Sequence, residues 1–308
     1  MTESKPLVWL PFAPDLLGSR PESLRYEVFL PEEGVAPPPE IRDVEFYVPP
    51  FGFSARVGSV LEQMPSLRVV QSMSAGVDHL RSFVRPEVTL CRGAGVHDAS
   101  TAELTLALIL ASLRALPDFV RAQDRAEWSP RWTTSLADRT VLIVGYGSVG
   151  SAIERRLEGF EVEVIRVART AREGVSAFAD LPSLLPRADV VILIVPITDE
   201  TRGLADAAFL SRMKQGALLV NMARGPVVDT AALVSELEKG RIHAALDVTD
   251  PEPLPTHDPL WSAPNLLLSP HVGGASSAMW PRVYAALGAQ LERYAAGAPL
   301  EHVVTGAY

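Results

Sequence analysis

The sequence contains a single cysteine, Cys91, among 308 residues. One thiol cannot form an internal disulfide, which is typical of a chain that works in a reducing cytoplasm. We therefore predict a cytoplasmic protein. Because free cysteine usually behaves as a small buried side chain, we expect Cys91 to have a structural role rather than a reactive one.

The sequence also lacks an excess of positive charge and a long apolar run. Its formal net charge of −9 argues against a general nucleic-acid or anionic-membrane surface. The N-terminal segment MTESKPLVWLPFAPD is interrupted by prolines and acids where a signal peptide needs a continuous apolar stretch. The most apolar helix candidate, LTLALILASLRAL, contains Arg114 and is too short to cross a bilayer. We predict a soluble protein with neither nucleic acid nor membrane among its partners, and no metal site.

Short apolar runs alternate with helical patterns along most of the chain, which is typical of parallel sheets with crossover helices. The strand candidates form two series: LVWL, EFYV, LRVVQSM and VTLCR, then VLIVG, EVEVIRV, DVVILIV, ALLVNM, HAALDV and NLLLSP. We predict an α/β protein with two Rossmann-like, doubly wound parallel sheets. The dinucleotide-binding domain spans 101–270, and the substrate domain is discontinuous, formed by 1–100 and 271–308, because the tail is too short to fold alone.

A glycine motif opens the second series of strands. Gly145, Gly147 and Gly150 have G-x-G-x-x-G spacing, follow an apolar strand and begin a helix. The first glycine permits a tight turn, the second lets backbone approach a pyrophosphate, and the third lets helix and strand pack closely. Because the helix N-terminus offers unpaired N–H groups to phosphate, this motif predicts a dinucleotide site.

The segment VIRVARTAR, residues 164–172, lies where such a fold usually ends its second strand with an acid that holds the ribose of NAD. Here Ala168 stands near the strand tip, followed by Arg169, Thr170 and Arg172. In isolation this is a solvated basic turn. Beside a dinucleotide site, the missing carboxylate and the added arginines both favour a 2′-phosphate. We predict that NADP(H) is preferred over NAD(H).

Polar side chains also follow the later strands: Arg224, Asp247, Glu252 and His271. An isolated arginine is usually solvated, but reduction of a 2-oxo acid needs a bidentate cation for the carboxylate. It also needs a proton donor, and a histidine serves near neutral pH when a carboxylate raises its pKa. Of the six histidines, only His271 combines a strand end with glycines that follow it.

These motifs, in this order, resemble the D-isomer-specific 2-hydroxyacid dehydrogenase family along nearly the whole chain. The matching segments are SMSAGVDHL, STAELTLALILASLR, VGYGSVG, VNMARGPVVD, LDVTDPEP and SPHVGGAS. The resemblance implies that Arg224 binds and polarises a 2-oxo acid, and that Glu252 orients the proton donor His271. It implies that the backbone of Ala75 and Gly76 grips the substrate carboxylate.

The resemblance also implies the cofactor contacts and a homodimer formed in part by the long helix at STAELTLALILASLR. Asp247 is expected to meet the nicotinamide carboxamide. The other cofactor contacts expected from the resemblance and the glycine motif are Tyr146, Ser148, Val149, Val195, Pro196, Thr201, Met222, Ala223 and Gly273.

The substrate stays open. The nearest group in character is the glyoxylate and hydroxypyruvate reductases, several of which prefer NADPH; formate dehydrogenases, with glutamine in place of Glu252, are disfavoured. A larger apolar 2-oxo acid is the alternative if Phe51, Phe53 and Trp280 line the pocket. A dinucleotide-sensing corepressor of the same fold, or an NADH-dependent dehydrogenase, are the remaining alternatives.

Overall fold

The computed structural model describes residues 5–32, 34–52 and 55–305. The chain forms two compact units: Met1–His97 with Ser277–Tyr308, and Asp98–Ser276. Each contains one parallel sheet with helices, which confirms the predicted fold class. The strands are β1 (Leu7–Leu10), β2 (Arg25–Val28), β3 (Val44–Tyr47), β4 (Val69–Gln71), β5 (Thr89–Cys91), β6 (Thr140–Val144), β7 (Glu163–Ala168), β8 (Ser176–Ala177), β9 (Val190–Leu193), β10 (Leu218–Asn221), β11 (His243–Leu246) and β12 (Leu266–Leu268). The α-helices are α1 (Ala55–Leu61), α2 (Asp78–Arg81), α3 (Asp98–Leu113), α4 (Leu116–Asp124), α5 (Ser148–Leu157), α6 (Leu181–Leu184), α7 (Ala207–Arg212), α8 (Thr230–Glu238) and α9 (Met279–Ala295).

The first unit has the strand order β2-β1-β3-β4-β5, one of the two common doubly wound orders. Every residue of β1 is buried, as the apolar run LVWL indicated. Strand β2, RYEV, was not predicted, because it lies at the sheet edge and has no fully buried residue. Helix α9 packs its apolar face on this sheet through Val283, Leu287 and Leu291. The C-terminal tail therefore returns to the N-terminal unit.

The second unit has the order β12-β11-β10-β9-β6-β7-β8, with every pair parallel. The central strands β9 and β10 are buried along their whole length because helices cover both faces of the sheet. The two-residue strand β8 was not predicted. The strand order reverses between β6 and β9, and in such sheets the ligand binds at the carboxyl ends flanking this point.

The boundaries between the units differ from the predicted ones. The second unit begins at Asp98 and ends at Ser276, whereas the prediction was 101–270. The segment after β12 stays with this unit because the backbone N–H groups of Val272 and Gly273 donate to the Asp247 carboxylate, at 3.0 and 2.8 Å. His271 is therefore part of the second unit and not of the tail.

The long apolar helix α3 is a core helix of the second unit. Its residues Ala102, Leu106 and Ile109 pack in one cluster with side chains of β6 and α5. Among the described residues, no single helix has the length and hydropathy to cross a membrane; α3 and α4, bent by 66°, meet these criteria only as a pair.

Cys91 is fully buried in the first unit at the end of β5. Burial raises the pKa of its thiol to about 11, so the thiolate is scarce at neutral pH. This agrees with the structural role expected for this residue.

Candidate functional site

The glycine turn between β6 and α5 has the geometry that a dinucleotide requires. Gly145 has φ +112°, and a Cβ there would lie 2.4 Å from the carbonyl oxygen of Ile194. A Cβ on Gly150 would lie 2.6 Å from the carbonyl oxygen of Gly145, so this glycine permits the close packing of helix and turn. At Gly147, in contrast, a Cβ would meet nothing within 4 Å. The second glycine therefore faces open space at the N-terminus of α5.

The end of β7 lies beside this turn, because the N–H groups of Gly145 and Tyr146 both donate to the carbonyl of Val167 at 2.9 Å. Ala168 is the last residue of β7, and Arg169 and Thr170 follow it on the exposed surface. Nη2 of Arg172 donates to the carbonyl of Tyr146 at 2.6 Å. The structure thus places two of the predicted selector residues at a strand tip and a third against the glycine turn.

The segment after β9 forms a braced loop. The Thr201 hydroxyl donates to the carbonyl of Pro196 at 2.6 Å and accepts from the N–H of Thr198 at 2.8 Å. Thr201 and Val195 are both buried. Of the three contacts expected here, Pro196 is exposed, while Thr201 acts on the loop's own backbone. Ser148 and Val149, in the first turn of α5, are exposed and half-buried, and the Ser148 hydroxyl donates to Asp98 at 3.2 Å.

The loop after β10 holds Arg224. Met222 and Ala223 are buried, and the Asn221 side chain fixes the loop by accepting from the N–H of Ala223 and donating to the carbonyl of Arg224, both at 3.0 Å. The next residue, Gly225, was not singled out from sequence. A Cβ there would lie 1.8 Å from the carbonyl oxygen of Thr249, so the glycine brings this loop against the loop after β11.

Asp247 joins β11 to the segment after β12. Its Oδ1 accepts from the Ser269 hydroxyl at 2.6 Å and from the N–H of Val272 at 3.0 Å, and its Oδ2 accepts from the N–H of Gly273 at 2.8 Å. A Cβ on Gly273 would come within 2.8 Å of Oδ2. In this chain both residues therefore serve the loop itself, whatever they contribute to a cofactor.

His271 and Glu252 are in direct contact although they are 19 positions apart in the sequence: Nδ1 of the ring lies 2.7 Å from Oε2 of the carboxylate. The other oxygen, Oε1, accepts from the N–H of Thr249 at 3.0 Å. The backbone of His271 is in the left-handed region, φ +53°, and its N–H donates to the carbonyl of Asp247 at 2.7 Å. A non-glycine residue in this region is uncommon, and here the backbone hydrogen bonds of residues 271–273 to Asp247 hold it in place.

The electrostatics of this pair favour the charged forms of both groups. The hydrogen bond and charge of Glu252 raise the pKa of His271 against opposing effects of burial and of the Arg224 guanidinium. Burial raises the pKa of Glu252, but the contact with His271 outweighs it, with help from Thr249 and Arg224, and the net shift is downward. The imidazolium form of His271, with Nδ1–H donated to Glu252, leaves Nε2–H as a second donor.

The backbone expected to grip a carboxylate lies in the first unit, after β4. Ala75 and Gly76 are half-buried in a loop whose base is braced: the Ser72 hydroxyl accepts from the N–H of Ser74 at 3.0 Å, and Nε2 of buried His97 lies 2.8 Å from the carbonyl oxygen of Met73.

Two aromatic side chains considered for the pocket also belong to the first unit. Phe51 is 39% exposed and its ring lies 5.3 Å from that of His97. Trp280 is 39% exposed and stacks on Tyr284 at 5.7 Å. Phe53 lies outside the described residues. Trp280 therefore has a packing partner of its own, and Phe51 lies next to the base of the Ala75–Gly76 loop.

The donor chemistry of the second unit suits a dinucleotide. The N-terminus of α5 opens at Gly147 without a side-chain cap, so its first N–H groups are available to a phosphate. Among residues 5–32, 34–52 and 55–305, no cluster of His, Cys, Asp and Glu has the makings of a metal site.

Comparison with known proteins identifies similar chains that bind a dinucleotide. The family model "D-isomer specific 2-hydroxyacid dehydrogenase, NAD binding domain" matches residues 106–273. Glyoxylate/hydroxypyruvate reductase B of Citrobacter koseri is 38% identical over 240 residues, which cover 73% of this chain and 74% of that protein. The protein of the same name from Escherichia coli K12 is 36% identical over 232 residues, with 71% and 72% coverage.

Solved structures of similar chains match nearly the full length. The NADPH-dependent glyoxylate/hydroxypyruvate reductase of Sinorhizobium meliloti, in complex with NADP and malonate, has a TM-score of 0.81 and 28% identity, covering 98% of this chain and 97% of that one. A D-isomer specific 2-hydroxyacid dehydrogenase of Xanthobacter autotrophicus Py2, in complex with NADPH and MES, has a TM-score of 0.81 and 29% identity, covering 98% of each chain.

Proposed function

The chain belongs to the D-isomer specific 2-hydroxyacid dehydrogenase family, an NAD(P)-dependent group of oxidoreductases, and we propose that it reduces a 2-oxo acid to the 2-hydroxy acid with NADPH. The observation that carries the proposal is the contact between Nδ1 of His271 and Oε2 of Glu252, at 2.7 Å. It leaves Nε2 of the imidazolium as the proton donor, because Nδ1–H is committed to the carboxylate.

In the proposed reaction a nicotinamide, when bound at this site, would supply the hydride that C2 of the 2-oxo acid receives. His271 delivers the proton from Nε2 to the carbonyl oxygen, so that an alcohol forms and the imidazole becomes neutral. Glu252 is the positioning residue, which selects the ring orientation and stabilises the imidazolium. Oxidation of the hydroxy acid reverses these roles, with neutral His271 accepting the hydroxyl proton.

Arg224 is the cation of the proposed site. Its guanidinium acts electrostatically on both Glu252 and His271, which places positive charge near the proton donor. A guanidinium is suited to hold a carboxylate in a planar, bidentate manner and to polarise an adjacent carbonyl. In the first unit, the backbone N–H groups of Ala75 and Gly76 stay the expected carboxylate-binding groups.

The preference for NADPH rests on the end of β7. The five residues from Ala168 to Arg172 include no carboxylate, and Arg169 is exposed and forms no hydrogen bond or ion pair with other described residues. An exposed arginine without a partner is available for charge-assisted hydrogen bonds to a 2′-phosphate. The glycine turn at Gly145–Gly150 would hold the pyrophosphate, and Asp247 and Gly273 the nicotinamide side.

The relatives favour glyoxylate and hydroxypyruvate as substrates. The exposed ring of Phe51 favours a 2-oxo acid with an apolar side chain as the second candidate. Initial rates of NADPH and NADH oxidation with glyoxylate, hydroxypyruvate, pyruvate, phenylpyruvate and branched 2-oxo acids decide between them. His271→Ala should abolish turnover, while His257→Ala, at an exposed position, serves as the matched control.

Two outcomes would count against this function. Tight NADP+ binding without turnover of any 2-oxo acid would favour a dinucleotide sensor instead. Turnover that persists in His271→Ala would show that another group delivers the proton.

We also propose a homodimer in the cytoplasm, built on the surface beyond α3. Leu116 and Val120 of α4 are 49% and 57% exposed, and Trp128 and Trp132 just after it are 95% and 102% exposed. Four large apolar side chains so close in sequence are unusual on a monomer surface and suit a second copy of this chain. Light scattering after size exclusion should give about twice the chain mass for the wild type and a monomer for a Trp128→Ser, Trp132→Ser double variant; a monomeric wild type would contradict the proposal.

A further inference from the structure

Four residues of the second unit, Arg166, Glu154, Tyr146 and Arg172, form one connected network of polar contacts next to the glycine turn. Arg166 of β7 donates from Nε to Oε2 of Glu154 at 2.9 Å and from Nη2 to Oε1. The Tyr146 hydroxyl donates to the same carboxylate. Arg172, on the turn beyond β7, donates from Nη2 to the carbonyl oxygen of Tyr146 at 2.6 Å. This network of contacts therefore connects β7, α5 and the glycine turn with Arg172, one of the residues predicted to select the cofactor.

The Tyr146 ring is the centre of this network, because both arginines lie next to it. The guanidinium carbon of Arg166 lies 5.7 Å from the ring centroid, and that of Arg172 lies 5.9 Å from it. Both distances are within the range of cation–π attraction. Because the hydroxyl is held by Glu154, the ring has a defined orientation, and Arg172 is held by both the ring and the carbonyl of the same residue.

This arrangement matters for an exposed arginine. A free arginine side chain loses rotamer entropy when it is ordered on a ligand. Arg172 is exposed, but the contact with Tyr146 orders it before any ligand arrives. One of its five N–H donors is used by the carbonyl, which leaves four for an anion. Ordering in the free protein lowers the cost of binding.

The Glu154–Arg166 pair has a second effect, on charge. Glu154 is the carboxylate that takes part in these contacts, with its side chain 15% exposed, and an unpaired carboxylate there would repel a phosphate. The two-point contact with Arg166 offsets that charge. The group Arg166, Glu154 and Arg172 therefore has a net charge of about +1, and in sequence Arg172 is flanked by Arg169 on one side and by the exposed carboxylate of Glu173 on the other.

We propose that Tyr146, together with the Glu154–Arg166 pair, is a positioning residue for Arg172 and thereby determines selectivity for the 2′-phosphate of NADP(H). This inference rests on the proposed NADPH preference. It assigns the selection of the 2′-phosphate to Tyr146, Glu154 and Arg166 as well as to the residues at the end of β7. Tyr146→Leu retains the backbone carbonyl that accepts from Arg172 but removes the ring and the hydroxyl, whereas Tyr146→Phe removes only the hydroxyl.

Isothermal titration of the full-length protein with NADP+ and with NAD+ tests the proposal without turnover. We expect Tyr146→Leu to raise the Kd for NADP+ about five- to tenfold and to leave the Kd for NAD+ within about twofold. Tyr146→Phe should lose less than half as much. Arg166→Ala, which exposes the Glu154 charge, should also weaken NADP+ alone. Arg155→Ala is the matched control, because Arg155 is an exposed arginine on the same helix that contacts Ser151 and no member of the network.

The outcomes separate this inference from the proposed function. If the wild type binds NADP+ more tightly but Tyr146→Leu weakens both dinucleotides equally, Tyr146 only supports the fold of the turn and the inference is wrong. The same conclusion follows if Arg155→Ala weakens NADP+ as much as Arg166→Ala does. If the wild type binds NAD+ as tightly as NADP+, the proposed cofactor preference fails, and the inference fails with it.

Discussion

Replacing Glu252 by glutamine removes one negative charge from the proposed site with almost no change in side-chain shape. In the wild type Oε2 of Glu252 lies 2.7 Å from Nδ1 of His271. Glutamine can still accept a hydrogen bond from Nδ1–H through its amide oxygen. The variant therefore separates the contribution of the carboxylate charge from that of a hydrogen bond to a neutral acceptor.

The expected size of the effect follows from the geometry. A hydrogen bond to a charged group contributes about 1.5–3 kcal/mol. The side chains of His271 and Glu252 are 47% and 36% exposed, so solvent screening places the pair at the low end of that range. Since about 1.4 kcal/mol corresponds to a factor of ten in rate, we expect Glu252→Gln to lower kcat/KM for reduction about tenfold near neutral pH.

The effect should depend on pH in a defined direction. Glu252 raises the pKa of His271, so the imidazolium persists to higher pH than that of an ordinary histidine. Reduction needs the imidazolium, and kcat/KM therefore falls as the pH rises through this pKa. In Glu252→Gln that fall should begin at lower pH, because the carboxylate no longer favours the charged ring. The variant should lose more activity at about pH 8 than at about pH 6.

The assay is NADPH oxidation followed across the pH range for the wild type, Glu252→Gln and Glu238→Gln. Glu238 is an exposed carboxylate at the end of α8 and is the matched control for loss of one charge. A descending limb at the same pH in the wild type and Glu252→Gln, with folding intact by circular dichroism, would refute the assignment of the proton to the His271–Glu252 pair.

Three further predictions concern single residues elsewhere. Ala168→Asp places a carboxylate at the end of β7. It should lower kcat/KM with NADPH by at least about tenfold relative to kcat/KM with NADH, because the added charge repels a 2′-phosphate. An unchanged ratio would contradict the prediction that the end of β7 selects the cofactor. Tyr47→Phe should raise the free energy of unfolding in urea by about 1 kcal/mol, because the Tyr47 hydroxyl is buried without a hydrogen-bond partner among the described residues. The control Tyr294→Phe, which breaks a 3.1 Å hydrogen bond to the Glu45 carboxylate, should not raise it. Destabilisation by Tyr47→Phe would show that its hydroxyl has a partner. Gly225→Ala should lower kcat/KM about 100-fold, because the new Cβ would lie 1.8 Å from the carbonyl oxygen of Thr249. The loops that hold Arg224 and Glu252 would then have to move apart. Full activity of this variant would mean that the two loops can separate without loss of catalysis.

The family and the fold class were within reach of the sequence because each depends on local patterns. Glycine at 145 is needed by a left-handed turn next to its own strand, and buried strands appear as continuous apolar runs. The positions of Arg224 and His271 after strands were visible for the same reason, since parallel strands all present their carboxyl ends at one edge. Of the four edge strands, β5 and β12 were predicted from their apolar runs, whereas β2 was missed because it has no fully buried residue, and β8 was missed because it has only two residues.

The tertiary structure alone decided which of these residues touch. Glu252 and His271 follow different strands, and their 2.7 Å contact depends on Asp247 holding the backbone of 271–273. Gly225 in turn brings the loop of Arg224 against the loop of Glu252. The connection from Arg166 to Arg172 likewise crosses from strand to helix to turn. Local sequence determines backbone geometry over a few residues, whereas contacts between loops depend on sheet order and register, which no local pattern specifies.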